Sequence, residues 1–305
     1  VTSCLAPPAP VDLPPLAPPP DHDPEGFAAL LAQVEREHGF RIGSYKERCL
    51  RRRVAVRMRA TGAHTYAQYA IALAADAHEY ERLLDALTIN VTRFFRDAEA
   101  WAALDARALG PLVDGGGPVR VWSAGCASGE EPYSVATLLR ARLDARAERA
   151  GGPVGASGGP AGGAGRVRVL GTDVDPAALA AAADGVYADA ALAEAPPALR
   201  ARYFESAHAT GGPRARVGPE VRSLTTFARH DLLRDPAPAG PWQLIVCRNV
   251  VIYFDRESQA ELFERFHSAL APGGLLFLGK VETLLGHTRT LFAPIEPRQR
   301  LFRRI

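Results

Sequence analysis

The chain has 305 residues, 47% hydrophobic and 23% charged, with a formal net charge of +2. That balance suits a soluble globular fold with a sizeable core, and so small a net charge gives no overall attraction to nucleic acid. No apolar run approaches the roughly 18 residues needed to cross a bilayer, and without a basic region followed by an apolar core at the start no secretory leader is expected.

Cys4, Cys49, Cys126 and Cys247 have neither metal-ligand spacing nor the density of a disulfide framework, so a reduced, cytoplasmic setting is expected and no metal. The basic residues are almost all arginine, with lysine only at Lys46 and Lys280, which reads as a compositional bias.

Residues 1–24 hold nine prolines and no periodicity, and are expected to form a disordered tail. Phe27, Leu30, Leu31 and Val34 then recur at helical spacing. Further helical runs follow at about 44–60, 66–74 and 80–87, giving an all-helical unit over 25–88. A linker helix is expected at 89–108, and a second domain over 109–305. In that domain the strand candidates are 119–123, 167–172, 225–230, 243–249 and 275–279. They alternate with helices at about 131–147, 176–184 and 256–270, which predicts an α/β fold with a parallel sheet between helices. Residues 151–165 are almost entirely Gly, Ala, Pro and Ser and read as a flexible loop. Residues 186–224 leave room for a small β subdomain.

Four segments carry chemistry. Val119–Ser134 runs from an apolar strand through a turn holding Gly125 and Gly129 into a helix with Pro132 in its first turn. The Gly-x-x-x-Gly spacing, and Glu130 and Glu131 where a pyrophosphate would need positive surroundings, argue against a dinucleotide. Paired acids suit a ligand with cationic ends, as S-adenosylmethionine has in its sulfonium and ammonium. A purely structural glycine turn is the competing reading.

In Gly171-Thr-Asp-Val-Asp-Pro, Asp173 ends a strand where an acid commonly accepts ribose hydroxyls, whereas Asp175 before Pro176 reads as a helix N-cap. The third segment joins His230-Asp231-Leu232 to Leu244–Asp255. It places Arg248, Asn249 and Tyr253 after a buried strand, at the carboxyl edge where open α/β folds bind ligands. For Tyr253, a core tyrosine is an equal reading, and Cys247 reads as a small buried hydrophobe. The fourth, Thr88–Asp97, has Phe94 and Phe95 as core, with Asn90, Thr92 and Arg96 open to helix-capping or pairing roles.

In order, "TINVTRFFRD", "VWSAGCASGEEPYSVA", "GTDVD" and "IVCRNVVIYFD" resemble the CheR-type chemotaxis receptor methyltransferases, over roughly residues 26–305. The resemblance implies a Rossmann-like S-adenosylmethionine-dependent methyltransferase domain with a small β subdomain, preceded by an all-helical domain. It implies methyl transfer from S-adenosylmethionine to glutamate carboxylates on the cytoplasmic domain of chemotaxis receptors. It assigns the cofactor to Asn90, Thr92, Arg96, Glu131, Asp173, Asp231, Leu232, Arg248 and Asn249, beside the Gly125 turn. Arg96 and Tyr253 are expected nearest the transferring methyl. Asp231 stands where relatives often have Asn, and "LGKVETL" departs from their usual His-Ser-Glu at a place expected to lie apart from the core motifs.

Arg41–Arg59 holds eight basic residues and one acid, Glu47. At about 100° per residue Arg48, Arg52 and Arg59 fall within roughly 40° of one another. This stripe reads equally as a receptor-steering, substrate-binding face or as a solvated helix face. Two alternatives to the receptor methyltransferase remain at this stage: another methyltransferase substrate, and a non-catalytic cofactor-binding module.

Overall fold

The computed structural model describes residues 23–38, 42–87, 92–149, 164–207 and 212–305. The proline-rich stretch 1–22, Asn90, and most of the Gly-rich 151–165 segment lie outside them. The described residues fall into two compact units. One takes in those up to Gly43 and Glu47–Leu87; the other takes in Ser44–Lys46 and those from Thr92 to Ile305.

The first unit is four helices: α1 (Pro24–His38), α2 (Glu47–Thr61), α3 (Tyr66–Ala75) and α4 (Ala77–Leu87). Phe27, Leu30 and Val34 of α1 are buried, as are Leu50, Val54 and Met58 of α2, each set at the i, i+3/i+4 spacing that aligns one helical face. Thr65 caps α3 by accepting from Gln68 N at 3.2 Å. One acid is buried here. Glu79 is 2% exposed, bonded by Arg57 at 2.7 and 2.9 Å and by the Tyr69 hydroxyl at 2.9 Å. Burial alone would raise its carboxyl, but Arg57, Tyr69 and Arg82 outweigh that and hold it below the usual range.

The second unit begins with α5 (Ala98–Leu104), a π turn (Asp105–Leu109) and α6 (Gly110–Asp114). Helix therefore starts at Ala98 rather than near residue 89 among the described residues, because Phe95 (φ 53°) and Asp97 (φ 62°) are left-handed and break any helical path. Then come β1 (Val119–Ala124), α7 (Glu130–Arg149), β2 (Val167–Asp173), α8 (Pro176–Asp184), β3 (Val186–Ala188), α9 (Pro197–Tyr203), β4 (Phe204–Ala207), β5 (Arg214–Val217), α10 (Pro219–Arg222) and β6 (Thr225–Arg229). The chain finishes with β7 (Trp242–Cys247), α11 (Arg256–Ala269), β8 (Leu270–Leu278), β9 (Phe292–Glu296) and β10 (Leu301–Arg304).

The main sheet has the order β6-β2-β1-β7-β8-β10-β9. Its first five strands are mutually parallel, and β10 runs antiparallel between β8 and β9. Strand β1 lies centrally, with β2 on one side and β7 on the other, so the strand order reverses there and opens a crevice at the carboxyl ends. Both faces are covered, which explains why β1 and β7 are buried almost throughout. One face packs Val121, Val169, Leu139 and Phe277; the other packs Trp122, Ile245, Phe263 and Phe266. The β subdomain is a three-stranded antiparallel sheet, β3-β5-β4. This is the parallel α/β sheet between helices expected from the alternating pattern, and the Rossmann-like domain that the resemblance implies.

Candidate active site

The turn after β1 is built by backbone. Gly125 N and Cys126 N donate to Thr172 O at 2.8 and 2.9 Å, binding the ends of β1 and β2 together. Gly125 (φ 80°) and Gly129 (φ 95°) are left-handed. A Cβ at Gly125 would meet Val250 Cγ2 at 2.6 Å, and one at Gly129 would meet Ala182 Cβ at 2.7 Å. Close packing of protein on protein therefore requires both glycines, and Gly125 also lines the cleft below.

That cleft is lined by Thr92, Arg93, Arg96, Trp101, Gly125, Cys126, Ala127, Glu131, Arg248, Asn249 and Val250. Three segments distant in sequence meet there: 92–101, 125–131 and 248–250. Glu131, in the first turn of α7, accepts from Ser123 Oγ at 2.8 Å and is almost fully buried. Burial pushes its carboxyl up to about 7; Arg248 and the Ser123 bond pull it down, and Glu282 adds to the rise. Glu130 turns elsewhere and accepts from Ser128 Oγ at 2.8 Å.

Arg248 ties the end of β7 to the segment before α5. Its Nη1 donates to Arg96 O at 2.9 Å and its Nη2 to Asp97 Oδ2 at 2.8 Å. The guanidinium stacks 5.3 Å from the Trp101 ring centroid and 5.0 Å from that of Phe277. Arg248 thus serves packing and cleft at once, and its burial lowers its pKa. Trp101 Nε1 also donates to Arg96 O, at 3.0 Å, so the Arg96 main chain is held from two sides.

Asp173 lies just behind the lining. Its Oδ2 accepts from Ala127 N at 2.8 Å and its Oδ1 from Asp175 N at 3.1 Å, and burial raises its pKa. Asp175 is the N-cap of α8, accepting from Ala177 N and Ala178 N at 2.8 and 3.2 Å. Asp231 Oδ1 accepts from Leu233 N at 2.8 Å, and Leu232 packs in the cluster around Trp122. Tyr253 ends a short 3-10 turn (Val251–Tyr253) and packs against the same cluster.

Of the residues singled out in sequence, Thr92, Arg96, Gly125, Glu131, Arg248 and Asn249 meet in one cleft. Asp173 is one hydrogen bond away, through Ala127; Asp231, Leu232 and Tyr253 are not among the lining residues; Asn90 lies outside the described residues. Arg48, Arg52 and Arg59 line a separate groove along α2 in the first unit, together with Arg51 and the exposed Val56.

Sequence reasoning missed Glu282. It is 3% exposed, and its two oxygens accept four backbone N–H bonds, from Gly279 at 2.6 Å, Asn249 at 2.9 Å, and Val250 and Val251 at 2.8 Å each. Burial pushes its carboxyl up while those four donors pull it back. They hold Asn249 at φ 61°, a conformation uncommon outside glycine. The "LGKVETL" segment, expected to lie apart from the core motifs, therefore shapes the turn that carries Arg248 and Asn249. The signal available was the acid retained at the third position of the His-Ser-Glu comparison.

Among the described residues no three His, Cys, Asp or Glu side chains gather as a metal site, and no helix is long and apolar enough to cross a membrane.

Two family models match. The all-alpha domain of CheR methyltransferases covers residues 25–88, and their S-adenosylmethionine-binding domain covers 90–152 and 158–300. The chain is 33% identical over 253 residues to a chemotaxis protein methyltransferase of Listeria innocua, covering 83% of this chain and 87% of that one. It is 32% identical over 262 residues to chemotaxis protein methyltransferase 2 of Pseudomonas aeruginosa, covering 86% and 87%. With the chemotaxis protein methyltransferase of Escherichia coli it shares 31% over 259 residues, covering 84% and 83%. The chain belongs to the CheR methyltransferase family and is an S-adenosylmethionine-dependent methyltransferase.

Proposed function

We propose that this methyltransferase esterifies glutamate side-chain carboxylates in the cytoplasmic domain of chemotaxis receptors, as a cytoplasmic enzyme. The observation that carries the reading is Glu131, a nearly buried acid in a cleft that also presents Arg96 and Arg248. An acid whose charge is so poorly solvated gains most from a cationic ligand, and the arginines suit carboxylates. The residues present therefore fit the cofactor. Thr92, Arg96, Arg248 and Asn249 are assigned to its amino-acid end together with Glu131 and the Gly125 turn, and Asp173, Asp231 and Leu232 to its nucleoside. The assignment extends to Asn90 by resemblance alone.

Bound there, the cofactor would supply an electrophilic methyl group for a carboxylate oxygen, with sulfur keeping the S–CH₃ bonding pair. A glutamate carboxyl with a pKa near about 4.3 is already ionised at neutral pH, so no residue need act as a base. The work left to the chain is alignment and exclusion of water. Arg96 is assigned to orienting the incoming carboxylate and Tyr253 to shaping its approach. Arg48, Arg52 and Arg59 supply a cationic face for acidic receptor helices. Incubation with methyl-labelled cofactor and receptor-bearing membranes should give base-labile label on receptor. Label that withstands alkali, or none on receptor, rejects the reading.

A further inference from the structure

Three residues directly ahead of α2 belong to the second unit rather than the first. Ser44–Lys46 lies against the turn that ends in Tyr253 and pairs with it in antiparallel fashion at Tyr45 and Phe254. Asp255 N donates to Ser44 O at 2.9 Å, and Lys46 N donates to Tyr253 O at 2.8 Å. The Lys46 ammonium adds a bond to Ile252 O at 2.6 Å. Two consecutive carbonyls of the Tyr253 turn are thus held by one residue. Asp255 is itself the N-cap of α11, accepting from Ser258 N, so the turn is fixed between this strap and a helix start.

Tyr45 sets its ring edge-on to Phe254, with centroids 5.1 Å apart at 86°, and packs on the apolar cluster that contains Leu232. Asp231 and Asp173 both lie close enough for their charges to raise its phenol, after the larger effect of burial. One strap therefore holds the Tyr253 turn and packs on the cluster that includes Leu232, which is assigned to the nucleoside. Its composition is also informative. Lysine occurs only at Lys46 and Lys280 in an arginine-rich chain. A compact ammonium suits a single carbonyl on a tight turn better than a planar five-donor guanidinium does.

We propose that the Ser44–Lys46 strap is a working part of the methyl-transfer site, Lys46 positioning Tyr253 and Tyr45 walling the nucleoside end of the cofactor site. The proposal rests on the functional reading above, and its two arms separate it from that reading.

Steady-state methylation by the full chain supplies the test, with thermal unfolding as a check that each variant is folded. Lys46→Met should lower kcat about fivefold and leave KM for the cofactor within about twofold, as expected when a charged hydrogen bond that acts only on geometry is lost. Tyr45→Ala should do the reverse, raising cofactor KM about tenfold with kcat within about twofold. Should it unfold, Tyr45→Phe should raise KM about threefold. In a Tyr253→Phe background, Lys46→Met should cost less than about twofold more, because the residue it positions is already impaired.

Equal kcat losses from Lys46→Met in both backgrounds, or silent Lys46 and Tyr45 variants, overturn the strap's role. So does a joint change of kcat and KM in each variant. A silent Tyr253→Phe instead overturns the placement of Tyr253 beside the methyl group, and the Tyr45 arm still decides the strap.

Discussion

Replacing Glu131 by Gln should stabilise the cofactor-free protein while removing cofactor binding. The carboxyl is raised from 4.5 to about 7, chiefly by burial. A raised acid favours its protonated form in the folded state. The stability this confers is fully present below the unfolded pKa, is lost as pH climbs from about 4.5 to about 7, and is flat above. At about 1.4 kcal/mol per pH unit, the ionised side chain costs the fold on the order of 3 kcal/mol at pH 8. Glutamine has nearly the same shape, still accepts from Ser123 Oγ, and never ionises. Arg248 keeps its bond to Asp97. The variant should therefore be more stable than the wild type by up to about 3 kcal/mol at pH 8, or roughly 6–12 °C in Tm, and by much less at pH 5. Trp101, Trp122 and Trp242 all lie in the second unit, so denaturant unfolding followed by tryptophan fluorescence reports on it directly. Calorimetry should show lost affinity for S-adenosylmethionine, and in the wild type an affinity that falls as pH drops below about 7. A variant less stable than the wild type at pH 8 would refute the reasoning, since the charge of Glu131 would then be a net support to the fold.

Glu282→Leu should cost about 3–5 kcal/mol, because four N–H groups, two of them buried and two half-buried, lose their acceptor, and urea unfolding at pH 7 measures it. Arg96→Ala should lower kcat on receptor at least about tenfold, and normal turnover in that variant removes Arg96 from the chemistry. Gly125→Ala should weaken cofactor binding and stability together, because the new Cβ meets Val250 at 2.6 Å in a left-handed turn; calorimetry and a melting curve check both. Joint replacement of Arg48, Arg52 and Arg59 by Ala should raise KM for receptor and flatten its salt dependence, leaving cofactor affinity within about twofold.

The parallel strands and the acids at their ends were legible because each is written locally. An apolar run, a glycine bend and a polar residue lie within a few positions of one another, as in Ser123–Glu131 and Gly171–Asp175. The N-cap role of Asp175 was readable for the same reason. What stayed hidden depends on contacts remote along the chain. Arg248 meets Asp97 across 151 positions and Asn249 meets Glu282 across 33, and neither partner carries a local mark of the other. The left-handed Phe95 and Asp97 were likewise invisible, since neither residue type requires that conformation and the groups that hold it are remote: Phe95 N donates to Ser134 Oγ, Asp97 N to Glu194, and the Asp97 carboxylate accepts from Arg248. β9 and β10 escaped notice because Phe292–Glu296 is short and interrupted by Pro294, and Leu301–Arg304 has only two apolar residues, side by side rather than alternating.

Strand β10 has a consequence for how the protein is made. It sits between β8 and β9, pairing Leu301 with Phe277 on one side and with Glu296 on the other. During synthesis β9 leaves the ribosome before the strand that joins it to the sheet, and β8 waits with an open edge of unpaired backbone. Final closure therefore follows translation of residues 301–304, and until then that edge is a template for pairing with other chains, which holding chaperones would shield.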